Sequence, residues 1–293
     1  LSLVGSEMCI RDRSDDNGVL LGINRYNNSL CIVDLFNTKI NKNANLNLLG
    51  TSGAGKTFTM QTMALRMRRK GIQVFIIAPL KGHEFYRAAR NVGGEFIQIS
   101  PASKNCINIM EIRKVDNSVN ELLDGPTLDA SALAGKIQRL HIFFSLLIPD
   151  MSHEEKQLLD EALIKTYARK GITHKNESLT DPQHPEQYKK MPILEDVYNV
   201  LLESEDTKRL AHILNRLVHG SASSFNQQTN VDLTNKYTVL DISELTGSSD
   251  LLTVGMFVAL DYVWDKAKEN RTEEKAIFVD EAVSYTHLTL PTT

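Results

Sequence analysis

The chain has 293 residues, 42% of them hydrophobic and 24% charged, which supplies a packed core and excludes wholesale disorder. A formal net charge of −3 gives no global case for a nucleic-acid partner, and Cys9, Cys31 and Cys106 show neither metal-ligand nor disulfide spacing, as in a reducing cytosol. The longest apolar runs, 141–148 and 251–260, are shorter than the roughly 20 residues of a bilayer span.

Glu7, Arg11, Asp12 and Arg13 break any secretory signal at the start of the chain. Residues 1–13 (LSLVGSEMCIRDR) and 283–293 (VSYTHLTLPTT) resemble peptides translated from sequencing adapters in metagenomic assemblies. Both are therefore set outside the fold, and the natural chain is expected to continue past each end. Runs at 19–23 and 30–35 predict a hairpin, with Asn27-Asn28 suited to a tight turn because Asn tolerates positive φ.

Next comes NLNLLGTSGAGKTFTM, residues 45–60, the stretch on which the functional reading rests. Gly50, Gly55, Lys56 and Thr57 satisfy G-x-x-x-x-G-K-[ST], the phosphate-binding loop. Leu46, Leu48 and Leu49 predict the strand leading in, and 56–70 the helix leading out. Glycines at 53 and 55 let successive N–H groups turn inward on phosphate oxygens, and the helix start adds about half a positive charge. Candidate nucleotide contacts are Gly50, Thr51, Ser52, Gly53, Ala54, Gly55, Lys56, Thr57 and Phe58, with Lys56 on the β/γ-phosphates and the Thr57 hydroxyl on Mg²⁺. Met60, Met63 and Met67 recur at helical spacing as a core face, and Arg66, Arg68, Arg69 and Lys70 complement the helix's negative end or contact nucleic acid.

Strands at 72–77 and 95–99 alternate with a helix at 84–92, the pattern of a parallel sheet. From about 111 the pattern turns helical. Leu133, Ile137, Leu140, Phe144 and Leu147 mark one face; Ser152 with Glu155 forms a capping box; and Gly171 suits a left-handed helix stop. The polar stretch 173–190 reads as a mobile surface loop, and helices follow near 193–202 and 207–219. A strand at 237–242, a long helix at 251–268 and a strand at 275–279 complete the pattern. The expected organisation is a motor domain at 14–110 and 236–282, interrupted by an all-helical subdomain at 111–235.

The last strand ends in Asp280-Glu281. Four largely apolar residues followed by this pair suit Mg²⁺-nucleotide chemistry, with Asp280 holding the metal opposite Thr57 and Glu281 polarising the attacking water. No arginine within 45–282 stands out as the residue that phosphoryl transfer wants over the γ-phosphate. It is expected from a neighbouring subunit or from sequence beyond the chain. The chain alone is therefore expected to bind ATP but turn it over slowly.

The motifs GTSGAGKTFTMQ, GGEFIQISPASKNCINIMEI, KIQRLHIFFSLLIPDMSHEEKQLLDEAL, LVHGSASSFNQQTNVDL, TVLDISEL and KAIFVDEA extend over most of 18–282. In this order they resemble the VirB-type conjugation ATPases of type IV secretion systems, the TraE/TraC/TrsE-like group within the HerA/FtsK-like branch of RecA-fold motors. The resemblance implies an α/β RecA-like P-loop NTPase, a mainly parallel sheet flanked by helices with an inserted helical subdomain. It also implies a homo-hexameric, Mg²⁺-dependent ATPase at the inner face of the membrane. Its partners would be the secretion channel, coupling proteins and DNA, and its work pilus assembly and transfer of DNA–protein substrates. Lys56, Thr57, Asp280 and Glu281 match the family's motor motifs directly. Where the family often carries an acidic-Pro motif, this chain has Ala78-Pro79-Leu80-Lys81-Gly82-His83-Glu84, leaving Glu84 either a surface residue or a substitute carboxylate. The Phe225–Asn230 loop matches a family loop with no derivable role. Two other classes remain open at this point: a HerA/FtsK-like DNA translocase or coupling protein, and a non-motor nucleotide switch.

Overall fold

The computed structural model describes residues 17–101, 103–113, 131–270 and 272–281, so both adapter-like ends and part of the expected helical subdomain lie outside the described residues. Strands β1 (Val19–Ile23) and β2 (Leu30–Val33) pair antiparallel, and Asn28 turns the chain between them at φ 56°. Helix α1 (Lys56–Arg69) leads to β3 (Gln73–Ala78), then α2 (His83–Asn91) and β4 (Glu95–Gln98). Among the described residues four helices follow, α3 (Ala132–Leu147), α4 (His153–Arg169), α5 (Leu194–Leu201) and α6 (Lys208–Val218). The chain then returns through β5 (Tyr237–Asp241), α7 (Ser249–Lys268) and β6 (Lys275–Val279).

Strands β4, β5, β3 and β6 form a parallel sheet in that order, flanked by helices, as the alternating pattern predicts. Every residue of β3 is buried, which explains the apolar run Val74–Ala78, while buried Gln73 donates to the carbonyls of Leu233 and Asn235. Alternation then sorts the sheet's side chains between two cores. Val74, Ile76 and Val239 face Met60, Met63 and Met67 of α1 and Phe85 of α2. Phe75, Ile77, Ile97 and Leu240 face the other way and share one continuous apolar cluster with α3 to α7. The methionine stripe is thus core, as expected. Two of the cations ending α1 tie down the hairpin: Arg66 donates to the Leu20 carbonyl and Lys70 to that of Asn17.

The helical elements carry the predicted end signals. Ser152 and Glu155 complete a reciprocal capping box, and Gly171 takes φ 70° after α4. Helix α3 is fixed to α7 by a buried ion cluster. Lys136 Nζ lies 3.2 Å from Asp261, and Arg139 lies 2.9 Å from Asp261 and 2.6 Å from Asp265. Arg113 adds a 2.8 Å contact to Asp265 and covers the Tyr262 ring with its centroid 4.4 Å away.

Two expectations are corrected. Leu46, Leu48 and Leu49 form no strand, although Leu48 packs on the α1-side core while Leu49 is exposed. Asparagines alternate with these leucines, the Asn43 side chain bonds the Asn45 backbone at 3.2 Å, and the sheet's last described strand on that side is β6. Residues 173–190, read as a mobile loop, are stapled instead. A 3₁₀ turn, Asn176–Leu179, buries Leu179, and Thr180 bridges to Tyr188.

Candidate active site

The phosphate loop wraps the N-terminus of α1, and its backbone conformation explains its glycines. Gly53 and Gly55 sit at φ 77° and 85°, which other residues adopt only under strain. A Cβ at either would meet no protein atom within 4 Å, so the requirement comes from the dihedral and not from protein crowding. Gly50 differs, since a Cβ there would approach Ala54 Cβ at 3.3 Å. Gly55 is the N-cap and supplies no side-chain cap, and the first turn of α1 contains no acid. The helix therefore presents its uncapped N–H groups and positive end to the loop, the electrostatic setting of an anion site.

Residues Thr51, Ser52 and Ala54 line the exposed loop, with Ala54 N donating to Thr51 O at 3.2 Å. Lys56 folds back over it, its ammonium donating to the carbonyls of Gly50 at 3.0 Å and Thr51 at 3.1 Å. Thr57 is half-buried in the first turn, and Phe58 next to it is exposed.

Asp280 follows β6 directly. In register, Ala78 of β3 lies between Asp241 of β5 and the Asp280 position beyond β6, so two strand-end aspartates share the sheet's carboxyl edge. Helix α1 packs on β3 and β6, and its Gln61 donates to the Glu84 carbonyl at 3.2 Å. The start of α1 and the start of α2 thus meet over the edge that carries Asp280. Asp280 is 7% exposed, and its Oδ2 is buried with no hydrogen-bond partner among the described residues. Its Oδ1 accepts from the Glu281 N–H at 3.1 Å. Burial raises the Asp280 carboxyl above the ordinary aspartate value; the Glu281 N–H opposes this, the Glu281 and Glu84 carboxylates add to the rise, and Lys81 pulls it down. A buried carboxylate with one oxygen unspent is poised for a cation or its water shell, so the residues fit Mg²⁺. Glu281 stands at φ 50°, a strained conformation of the kind concentrated at working sites.

The raised value carries a sign. The ionised Asp280 is penalised in the fold, so its contribution is most favourable below the unfolded pKa and worsens as pH rises through that value. Asp280→Asn is accordingly expected to raise the thermal midpoint of the ligand-free protein at pH 7. It is also expected to abolish extra stabilisation by Mg²⁺ with ATP over ATP alone, both read by thermal melts.

Sequence reasoning missed Asp241 and Lys81. Asp241 accepts from Ser243 N at 2.9 Å and presses on Gly82, where an added Cβ would fall 1.9 Å from its carboxyl carbon. The signal was present, since TVLD ends in an acid just as IFVD does. Glu84 is exposed, yet close enough to bias Asp280, so surface position and proximity to the site are both true of it.

The Phe225–Asn230 loop acts as a clasp. Asn230 Oδ1 accepts from Cys106 N at 2.7 Å, and its Nδ2 donates to Lys104 O at 2.6 Å. Thr229 accepts from Asn108 N at 2.9 Å and Gln228 donates to Met191 O at 2.8 Å. Asn226 accepts from Glu195 N at 2.8 Å. Residues 103–113 have no regular structure, so these side chains serve as hydrogen-bond partners that a strand would otherwise provide.

A sequence profile of the AAA-like domain matches residues 35–289. The chain belongs to the AAA-like domain family. Among solved structures, VirB4 of Thermoanaerobacter pseudethanolicus matches this AAA-like domain with TM-score 0.78 and 28% identity, over 93% of this chain and 70% of that one. No curated protein matches. The likeness to VirB-type ATPases and the α/β class expected from the motifs therefore hold, and the AAA-like domain has a VirB4-like P-loop ATPase fold. Among the described residues no helix is long and apolar enough to cross a membrane.

Proposed function

We propose that the chain binds Mg-ATP at Gly50–Phe58 and hydrolyses it to power type IV secretion in conjugation. The carrying observation is the buried, unpartnered oxygen of Asp280 at the same sheet edge as the uncapped start of α1. Thr57 and Asp280 would hold Mg²⁺, which supplies charge neutralisation along the phosphates. Lys56 exchanges its two loop carbonyls for the β/γ-phosphates, and Glu281 takes the proton of the attacking water. The motor works as a homo-hexamer at the inner face of the membrane, with the secretion channel and coupling proteins as partners, in pilus assembly and DNA–protein transfer. Family membership and the VirB4 likeness support this reading.

ATP hydrolysis measured with and without single-stranded DNA, on the unsubstituted chain and on Lys56→Ala, tests it. Slow, Mg²⁺-dependent turnover that Lys56→Ala abolishes and DNA leaves within two-fold is the expected result. Stimulation by DNA of many fold would make the chain a DNA translocase of the HerA/FtsK type instead.

A further inference from the structure

Phe58 is the one exposed phenylalanine among the described residues, with 75% of its surface accessible. Leaving so large an apolar ring in water is unfavourable, and nothing in the folding of α1 calls for it. Helix α1 buries Met60, Met63, Ala64 and Met67 on the sheet side, and at 100° per residue Phe58 projects from the opposite side. Helical side chains lean toward the N-terminus, so this ring reaches back over the turn that begins at Lys56.

A triphosphate seated in the loop with its γ-phosphate toward Asp280 and Glu281 has its α-phosphate at the other end, over the first turn of α1. Its nucleoside then leaves on the side away from β6 and the sheet. The exposed ring would then lie on the same side of the same helical turn as the departing base. An aromatic face stacks on any base without hydrogen-bond readout, and each such contact contributes substantially to affinity.

We infer that Phe58 is the stacking platform for the nucleobase, so that the loop holds the phosphates through backbone and Lys56 while this side chain holds the base. The assignment rests on the phosphate-loop reading above, and the two are separable by ligand. Binding of ATP and of inorganic tripolyphosphate is measured by calorimetry on the full chain and on Phe58→Ala and Phe58→Tyr. Phe58→Ala is expected to weaken ATP by roughly ten- to a hundred-fold and leave tripolyphosphate within two-fold. Phe58→Tyr is expected to retain ATP binding. Because the ring is exposed, circular dichroism melts of both variants should match the unsubstituted chain.

Unchanged ATP affinity in Phe58→Ala overturns the inference, and so does an equal loss for both ligands, which would mark a distorted loop. Unchanged affinity with altered oligomeric state would place the ring at a contact between copies, also against it. If the unsubstituted chain binds neither ligand, the phosphate-loop reading itself fails, and the inference with it.

Discussion

Replacing Glu281 with glutamine is expected to leave Mg-ATP affinity within a few-fold and to cut hydrolysis by about 10²–10⁴-fold. The expectation follows from where the residue stands. Glu281 is the first residue beyond Asp280, at positive φ and only half-buried. Glutamine keeps its size and hydrogen-bonding reach but cannot accept the proton of the attacking water. A general base therefore predicts a loss in turnover with little loss in binding. Lys56→Ala should do the opposite, losing binding first, because it removes a charge that meets the phosphates in the ground state. Filter binding and single-turnover hydrolysis separate the two. Equal turnover in Glu281→Gln and the unsubstituted chain would reduce the site to a nucleotide switch.

The parts legible from sequence were those where one local rule decides the outcome. The phosphate loop is such a case, because its dihedrals demand Gly53 and Gly55. Ser152 with Glu155 is another, and so is the fully buried β3 with its apolar run Val74–Ala78. The failures have a common physical origin in pairing at a distance. Leu46, Leu48 and Leu49 have strand-like composition, but a strand exists only if a neighbour takes its hydrogen bonds, and local sequence does not say whether one does. Residues 173–190 read as a mobile loop because the bridge from Thr180 to Tyr188 and the burial of Leu179 depend on surrounding structure. The clasp at Asn226–Asn230 was invisible for the same reason, since its partners lie up to 126 residues away. Asp241 was the avoidable omission, a strand-end acid read at β6 and overlooked at β5.

The largest stability effect is expected at Asp261, far from the nucleotide. Burial alone would raise its carboxyl, but Lys136, Arg113 and Arg139 together overturn that and hold it well below the usual carboxylate range. The stabilisation is therefore complete above the unfolded aspartate value, near pH 4, and is lost as pH falls below it. Asp261→Ala leaves three buried or half-buried cations facing Asp265 and the more exposed Glu111, and should cost about 3–5 kcal/mol in chemical denaturation. Lys136 behaves differently. It is 2% exposed, and burial lowers it from 10.5 to about 8 despite the attraction of Asp261. Between those values the unfolded chain binds more protons than the folded one, so stability rises with pH across that window. Lys136→Met should remove that rise and leave stability at pH 7 within about 1 kcal/mol, because Arg113 and Arg139 still cover both aspartates. Helix α7 carries Asp261 and Asp265 and leads into β6, so loss of the cluster loosens the element that delivers Asp280 and Glu281. Asp261→Ala should consequently lower the fraction of folded, active protein while leaving turnover per folded molecule near the unsubstituted value. A comparable loss of turnover in fully folded protein would mean that the cluster shapes the site itself.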